Sequence, residues 1–188
     1  VGNTSSGRKG TGGDFTEYVF GEVDPVWKNE HLRSGGLSSG EGLIHALNED
    51  NFDKRLLVKE SEFVSVLKNL KREGNILGPV LRNGWDGKDL RTMTVTPRKV
   101  TEPHLSVIAH VTREELRTAI SEAEIFGGTA NRFLWCCSRR SKLLPEGGRI
   151  PDLSSVVSRI GEAVEFSNAR AYIERSESGR ETWAELYH

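Results

Sequence analysis

Gly2-Asn3-Thr4-Ser5-Ser6-Gly7-Arg8-Lys9-Gly10-Thr11 is the stretch on which the reading of the whole chain turns. It nearly fits G-x-x-x-x-G-K-[ST], the loop that wraps phosphates with backbone amides. Arg8 stands between the second glycine and Lys9, and Gly10 stands between Lys9 and Thr11. Small residues let the backbone approach an anion, a following helix presents free amides, and the lysine supplies a mobile charge for the outer phosphates. Gly2, Thr4, Ser5, Gly7, Arg8, Lys9, Gly10 and Thr11 are therefore the candidate phosphate-binding residues. A glycine-rich terminus that binds nothing has the same composition, so the loop needs support from the rest of the chain.

Working outward, Phe15, Tyr18 and Val19 are spaced like one face of a short helix. A second small-residue loop, Ser34 to Gly42, precedes the helical pattern Leu43, Ile44, Leu47. Arg55-Leu56-Leu57-Val58 is an apolar run ending in acidic residues, as a buried parallel strand reaching the active edge of a sheet would read. Phe63, Val66, Leu67 and Leu70 mark one helical face, and Ile76, Leu77, Val80 and Leu81 mark another. Residues 88–104 read as a strand pair turning at Thr96-Pro97, and Leu105 to Val111 as a second buried strand. Thr112 and Glu115 have capping-box spacing, so a helix starts there. Arg132 to Cys137 reads as a third strand. From Pro151 onward, Leu153, Val156, Val157, Ile160 and Val164 recur at helical spacing, and Trp183 with Leu186 continues the pattern.

Strands alternating with helices predict an α/β layer structure with a mostly parallel sheet. Residues 1–150 are expected to form its core and residues 151–188 a helical extension. Val1 abuts the glycine-rich loop where a complete buried strand normally stands, so the expectation is an absent first strand and truncation at both ends. Ligands of such sheets bind beyond the carboxyl ends of the strands.

Composition narrows the function classes. Among 188 residues, 26 Lys and Arg stand against 27 Asp and Glu, a formal net charge of −1. That balance argues against coating nucleic acid by bulk positive charge. The two cysteines, Cys136 and Cys137, are adjacent and would point to opposite faces of a strand, a usage that fits a reducing compartment. No apolar run of membrane-spanning length occurs. A soluble, cytoplasmic protein without a membrane partner is expected.

The chain resembles, over most of its length, the uncharacterised family of phage- and plasmid-type primase/helicase ATPases. The resemblance is carried by Thr4-Ser5, Arg8-Lys9-Gly10-Thr11, Ser38-Ser39-Gly40-Glu41-Gly42 and Asn131-Arg132-Phe133-Leu134-Trp135. Lys71-Arg72-Glu73-Gly74-Asn75, Trp85-Asp86-Gly87 and Arg140-Ser141-Lys142-Leu143-Leu144-Pro145 extend it in the same order. It implies a RecA-like P-loop core that binds ATP and Mg2+, often beside primase or helicase modules, acting on DNA in a homo-oligomer.

The resemblance also suggests individual roles. Glu60 would hold magnesium together with Thr11, with a solvated helix-start carboxylate as the alternative, although Lys59 stands before it where an apolar residue fits a strand better. Glu41 and Glu62 compete to orient the attacking water, and either also suits a helix start as a carboxylate near the dipole. Arg132 would stabilise transferred-phosphate charge, in its own subunit or a neighbour's, with an ordinary salt bridge as the alternative. His110 and Thr112 end a strand where a phosphate sensor could stand, but Thr112 has a capping role already. Two basic stretches, Lys88, Arg91, Arg98 and Lys99, and Arg139, Arg140 and Lys142, are candidates for contact with single-stranded DNA. Trp85 is expected to pack under the sheet, with base stacking as the alternative. Readings without hydrolysis, as a nucleotide-dependent switch or an assembly module, stay open.

Overall fold

A computed structural model of the chain describes residues 1–2, 9–47, 49–50, 52–138, 151–169 and 173–187, with only the backbone described for Lys9, Gly10 and Thr11. The chain divides into two compact units, Val1–Arg149 and Ile150–His188.

Helix α1 spans Lys9–Val23 and has no acidic residue in its first turn. Asp24 starts α2 (Pro25–His31): its carboxylate accepts from the Trp27 amide at 2.8 Å, and Pro25 fits the first helical position, where no amide partner is needed. After β1 (Leu32–Ser34), Ser39 opens α3 (Gly40–Leu47) by accepting from the Gly42 amide, and Leu43, Ile44 and Leu47 bury one face. Strand β2 (Arg55–Glu60) buries alternate residues. Helices α4 (Phe63–Leu70) and α5 (Leu77–Trp85) each bury an apolar face. The strand pair expected at residues 88–104 is present as antiparallel β3 (Leu90–Arg91) and β4 (Lys99–Val100). Strand β5 (His104–Ala109) leads to α6 (Arg113–Ala119), which Thr112 and Glu115 start with a complete capping box. Helix α7 (Glu122–Phe126) and a 3-10 turn, Ala130–Arg132, complete the described part of the first unit. The second unit holds α8 (Ser154–Asn168) and α9 (Glu177–Leu186), neither of which has a buried residue.

The main sheet is parallel, in the order β1-β2-β5. On β2, Leu56 and Val58 join the core built with α3, α4 and α5, whereas Leu57 and Lys59 turn toward α1 and α2. Helices thus cover both faces, as an α/β fold requires. Beyond β5 the order is extended by two single bridges, both parallel: Gly2 pairs with Thr112 on one side and with Ser138 on the other. The order is therefore β1, β2, β5, Gly2, Ser138, with the chain running the same way at every position.

Three expectations need correction. Residues 132–137 do not start as a strand: Arg132 closes the 3-10 turn, and residues 133–137 are extended without a ladder until Ser138. Strand β5 is not buried on both sides, because it is an edge over its whole length and Ile108 is 53% exposed. Trp85 does not pack under the sheet and is 67% exposed. It falls one step beyond Leu77, Val80, Leu81 and Gly84, which form the buried face of α5.

Candidate functional site at the carboxyl edge of the sheet

Every strand of the main sheet points its carboxyl end to one edge; Gly2 and Glu60 lie along it, whereas Arg132 stands back from it, at the start of the segment that reaches this edge only at Ser138. Val1 and Gly2 reach that edge between two walls. The Gly2 amide donates to the Val111 carbonyl at 3.0 Å and the Arg113 amide donates to Gly2, while the Ser138 amide donates to Val1 at 2.9 Å. The chain leaves Gly2 at the carboxyl edge and re-enters described structure at Lys9, the first residue of α1. Thr4, Ser5, Gly7 and Arg8 lie outside the described residues.

Glu60 ends β2 on this edge and is 7% exposed. Its Oε1 accepts from the Leu37 amide at 2.6 Å. The Gly35 amide donates to the Lys59 carbonyl at 2.8 Å, so the loop after β1 is tied to the end of β2 by both backbone and carboxylate. Gly35 and Gly36 have φ of 81° and 89°, a left-handed conformation that glycine adopts without strain. The second small-residue loop is thereby wrapped around the Glu60 carboxylate.

Lys59, the residue that fits a strand poorly by hydropathy, has a partner that hydropathy does not show. Its ammonium donates to Glu17 at 2.7 Å and to Asp14 at 3.2 Å, both on α1. The Glu17 hydrogen bond, followed by that of Asp14, raises the Lys59 pKa against the opposing effect of burial. This pairing fastens the helix that begins at Lys9 to the strand that ends at Glu60. Sequence reasoning missed Asp14 and Glu17; the only available signal was their i, i+3 spacing on one side of α1.

The other candidates are less closely assembled. Glu41 lies in the first turn of α3, half-buried. Glu62 occupies the N-cap position of α4 without a side-chain capping bond and is exposed. The salt-bridge alternative holds for Arg132: it donates to Asp86 at 2.9 Å and to the Gly128 carbonyl at 2.9 Å. The Arg132 hydrogen bond in turn holds the Asp86 carboxyl below its ordinary pKa. Two separate motifs, Trp85-Asp86-Gly87 and Asn131-Arg132-Phe133, thus meet in one ion pair. Of the first basic stretch, Lys88 pairs with Asp86, and Arg91 and Lys99 share Asp89. Arg139, Arg140 and Lys142 lie outside the described residues.

Among the described residues no three His, Cys, Asp or Glu side chains converge as a metal cage. Magnesium needs none, because it keeps most of its waters and takes one or two carboxylates beside phosphate oxygens. Glu60, a hard oxygen donor at the carboxyl edge, fits that mode. No family model matches the chain, and no curated protein or solved structure does so either. No helix among the described residues is long and apolar enough to cross a membrane.

Proposed function

We propose that the chain is the nucleotide-binding and nucleotide-hydrolysing core of a RecA-like P-loop ATPase that works on DNA. The observation that carries this reading is the strand order. The chain proceeds from Gly2 through α1 and α2 to β1, at the far edge of the sheet. It returns by way of β2 and β5, then passes beyond Gly2 to Ser138. Gly2 therefore stands where the direction of the connections reverses, which is where open α/β sheets open a crevice for ligands. The phosphate-loop sequence begins at that point and ends in a helix N-terminus, whose amides and dipole favour an anion.

In this reading the loop amides and Lys9 would hold the outer phosphates of ATP, and Glu60 with Thr11 would hold a hydrated Mg2+, which would supply positive charge beside them. Leu37 keeps the Glu60 carboxylate in one orientation by its amide, and Lys59 holds α1 against the same strand. Glu41 and Glu62 remain the two candidates to orient the attacking water. The cis pairing of Arg132 with Asp86 favours a second reading, a nucleotide-dependent switch with slow turnover, because an engaged guanidinium is not available to the outer phosphate. Contact with single-stranded DNA, homo-oligomerisation and neighbouring primase or helicase modules belong to the first reading.

ATP titration and phosphate release, with and without single-stranded DNA, test both. Lys9→Ala is expected to weaken ATP binding by about tenfold or more, roughly 1.4 kcal/mol, while circular dichroism stays unchanged. Native affinity in that variant rejects the phosphate-loop assignment. Binding with negligible turnover, indifferent to DNA, selects the switch.

A further inference from the structure

Lys71-Arg72-Glu73-Gly74-Asn75, one of the stretches that carries the resemblance, has no part in the site described so far. It forms the turn between α4 and α5. Gly74 takes a φ of 76°, the left-handed conformation that glycine adopts without strain, just before Asn75 meets the loop that follows β1. There the Asn75 side chain makes three hydrogen bonds. Its Nδ2 donates to the Ser38 carbonyl at 2.8 Å and to the Asn69 carbonyl at 2.9 Å, while its Oδ1 accepts from the Leu77 amide at 2.9 Å. Two donors and an acceptor on one planar group are what a primary amide offers, whereas a carboxylate offers acceptors alone.

The oxygen and the nitrogen of Asn75 do different things. The bond from Leu77 closes an Asx-turn into α5, a local role that an aspartate fills as well. The bond to Ser38 is long-range, and it fastens the residue next to Leu37, whose amide donates to the Glu60 carboxylate at 2.6 Å. The same junction is packed: a Cβ on Gly40 would stand 2.9 Å from the Ile76 carbonyl oxygen, so the two segments meet backbone to backbone. Leu37 and Ser38 are thus held by two side chains, Glu60 at the Leu37 amide and Asn75 at the Ser38 carbonyl. We propose that Asn75 is a positioning residue for Glu60: its amide nitrogen fixes Ser38 and so keeps the Leu37 amide where it orients the carboxylate. The clamp itself needs no nucleotide; what Glu60 is oriented for, a hydrated divalent cation, rests on the reading above.

Asn75→Asp separates the two halves of the side chain, because it keeps an oxygen for Leu77 and sets an acceptor against two carbonyls. With amide hydrogen exchange followed by NMR, Leu37 is expected to exchange about tenfold faster in this variant than in the unaltered chain. The Val80 amide, bonded to Ile76 in the first turn of α5, and the His104 amide, bonded to Lys54 at the start of β5, keep their rates. An unchanged Leu37 rate overturns the proposal. So does equal acceleration at all three amides, which makes Asn75 a general stabilising residue. Asn75→Ser, uncharged and still able to accept from Leu77, is held to the same outcomes should Asn75→Asp fail to fold. Mn2+ then reports on the carboxylate, by water-proton relaxation in the presence of ATP. The half-saturating Mn2+ concentration is expected to rise about three- to tenfold in Asn75→Asp, and to rise no further when Asn75→Asp is added to Glu60→Gln. A further rise in the double variant, or sensitivity to Glu60→Gln without sensitivity to Asn75→Asp, overturns the positioning role. Indifference to both substitutions, with Leu37 still accelerated, supports the clamp and rejects instead the assignment of Glu60 to the cation, so the two readings fail separately.

Discussion

Lys59 shows how a single side chain can be misjudged from hydropathy. It occupies a strand position flanked by Val58 and Glu60, yet only 18% of its side chain is exposed, and its charge is met by Glu17, itself 27% exposed. The pair is sheltered enough for a charge-assisted hydrogen bond to count, whereas Asp14, 75% exposed, adds little. Lys59→Met is expected to cost about 1–2 kcal/mol in urea unfolding, with Glu17→Gln costing nearly as much and Asp14→Asn less than about 0.5 kcal/mol. A loss in Asp14→Asn equal to that in Glu17→Gln would show that the pairing with Glu17 is not what holds α1. The partners lie more than forty residues away in sequence, so no local pattern announces them. The position of Glu60 at the end of β2 was legible from the apolar run before it. Its bond to the Leu37 amide was not, since it depends on how the Gly35-Gly36 loop folds back.

At the scale of elements, helices α3, α4 and α5 follow directly from apolar spacing, and α6 from its capping box. Segment 133–137 misled because its apolar alternation is real, with Phe133 and Trp135 facing the core while Leu134 is 91% exposed. Alternation reports a half-buried extended chain and says nothing about whether a ladder accompanies it. Trp85 misled because the face of a helix is set by its whole length and not by one aromatic near its end. The glycines of the small-residue loops separate into two kinds that sequence does not distinguish. A Cβ at Gly40 would stand 2.7 Å from Ile76 Cγ1 and 2.9 Å from the Ile76 backbone, so α3 meets the approach to α5 at that point. A Cβ at Gly12, on an open side of α1, would meet nothing within 4 Å. Gly40→Ala is expected to destabilise the protein by about 1–3 kcal/mol through overpacking, and Gly12→Ala to stabilise it by about 0.5–1 kcal/mol through helix propensity. Thermal unfolding of the two variants checks the contrast, and a stabilising Gly40→Ala would mean that the two elements are not in contact.

One source of acid sensitivity lies at the amino ends of the strands, opposite the candidate site. There Asp53 receives hydrogen bonds from the Arg55 side chain and amide and stands 3.4 Å from His31 Nε2, whose ring Nδ1 is 2.8 Å from the Arg55 carbonyl. The Arg55 side-chain hydrogen bond, against some opposing burial, lowers the Asp53 pKa from 3.8 to about 2. A carboxyl with a depressed folded-state pKa contributes stability that is present above its unfolded value and is lost as pH falls through the folded one. Urea midpoints should therefore fall between about pH 4 and pH 2, and Asp53→Asn should flatten that part of the profile; an unchanged profile assigns the acid response to other carboxyls. The parallel sheet has a different consequence, for the order in which the protein acquires its shape. Its two ladders join Leu32 to Leu57 and Arg55 to His104, so no pairing in it is local, and the one hairpin among the described residues is the small β3–β4 pair. Closing such loops costs entropy before any contact returns it, which makes parallel pairing slow. Helices and the hairpin are expected to form early and the sheet late, so the carboxyl edge that holds Gly2 and Glu60 is expected to assemble only in the final stage of folding.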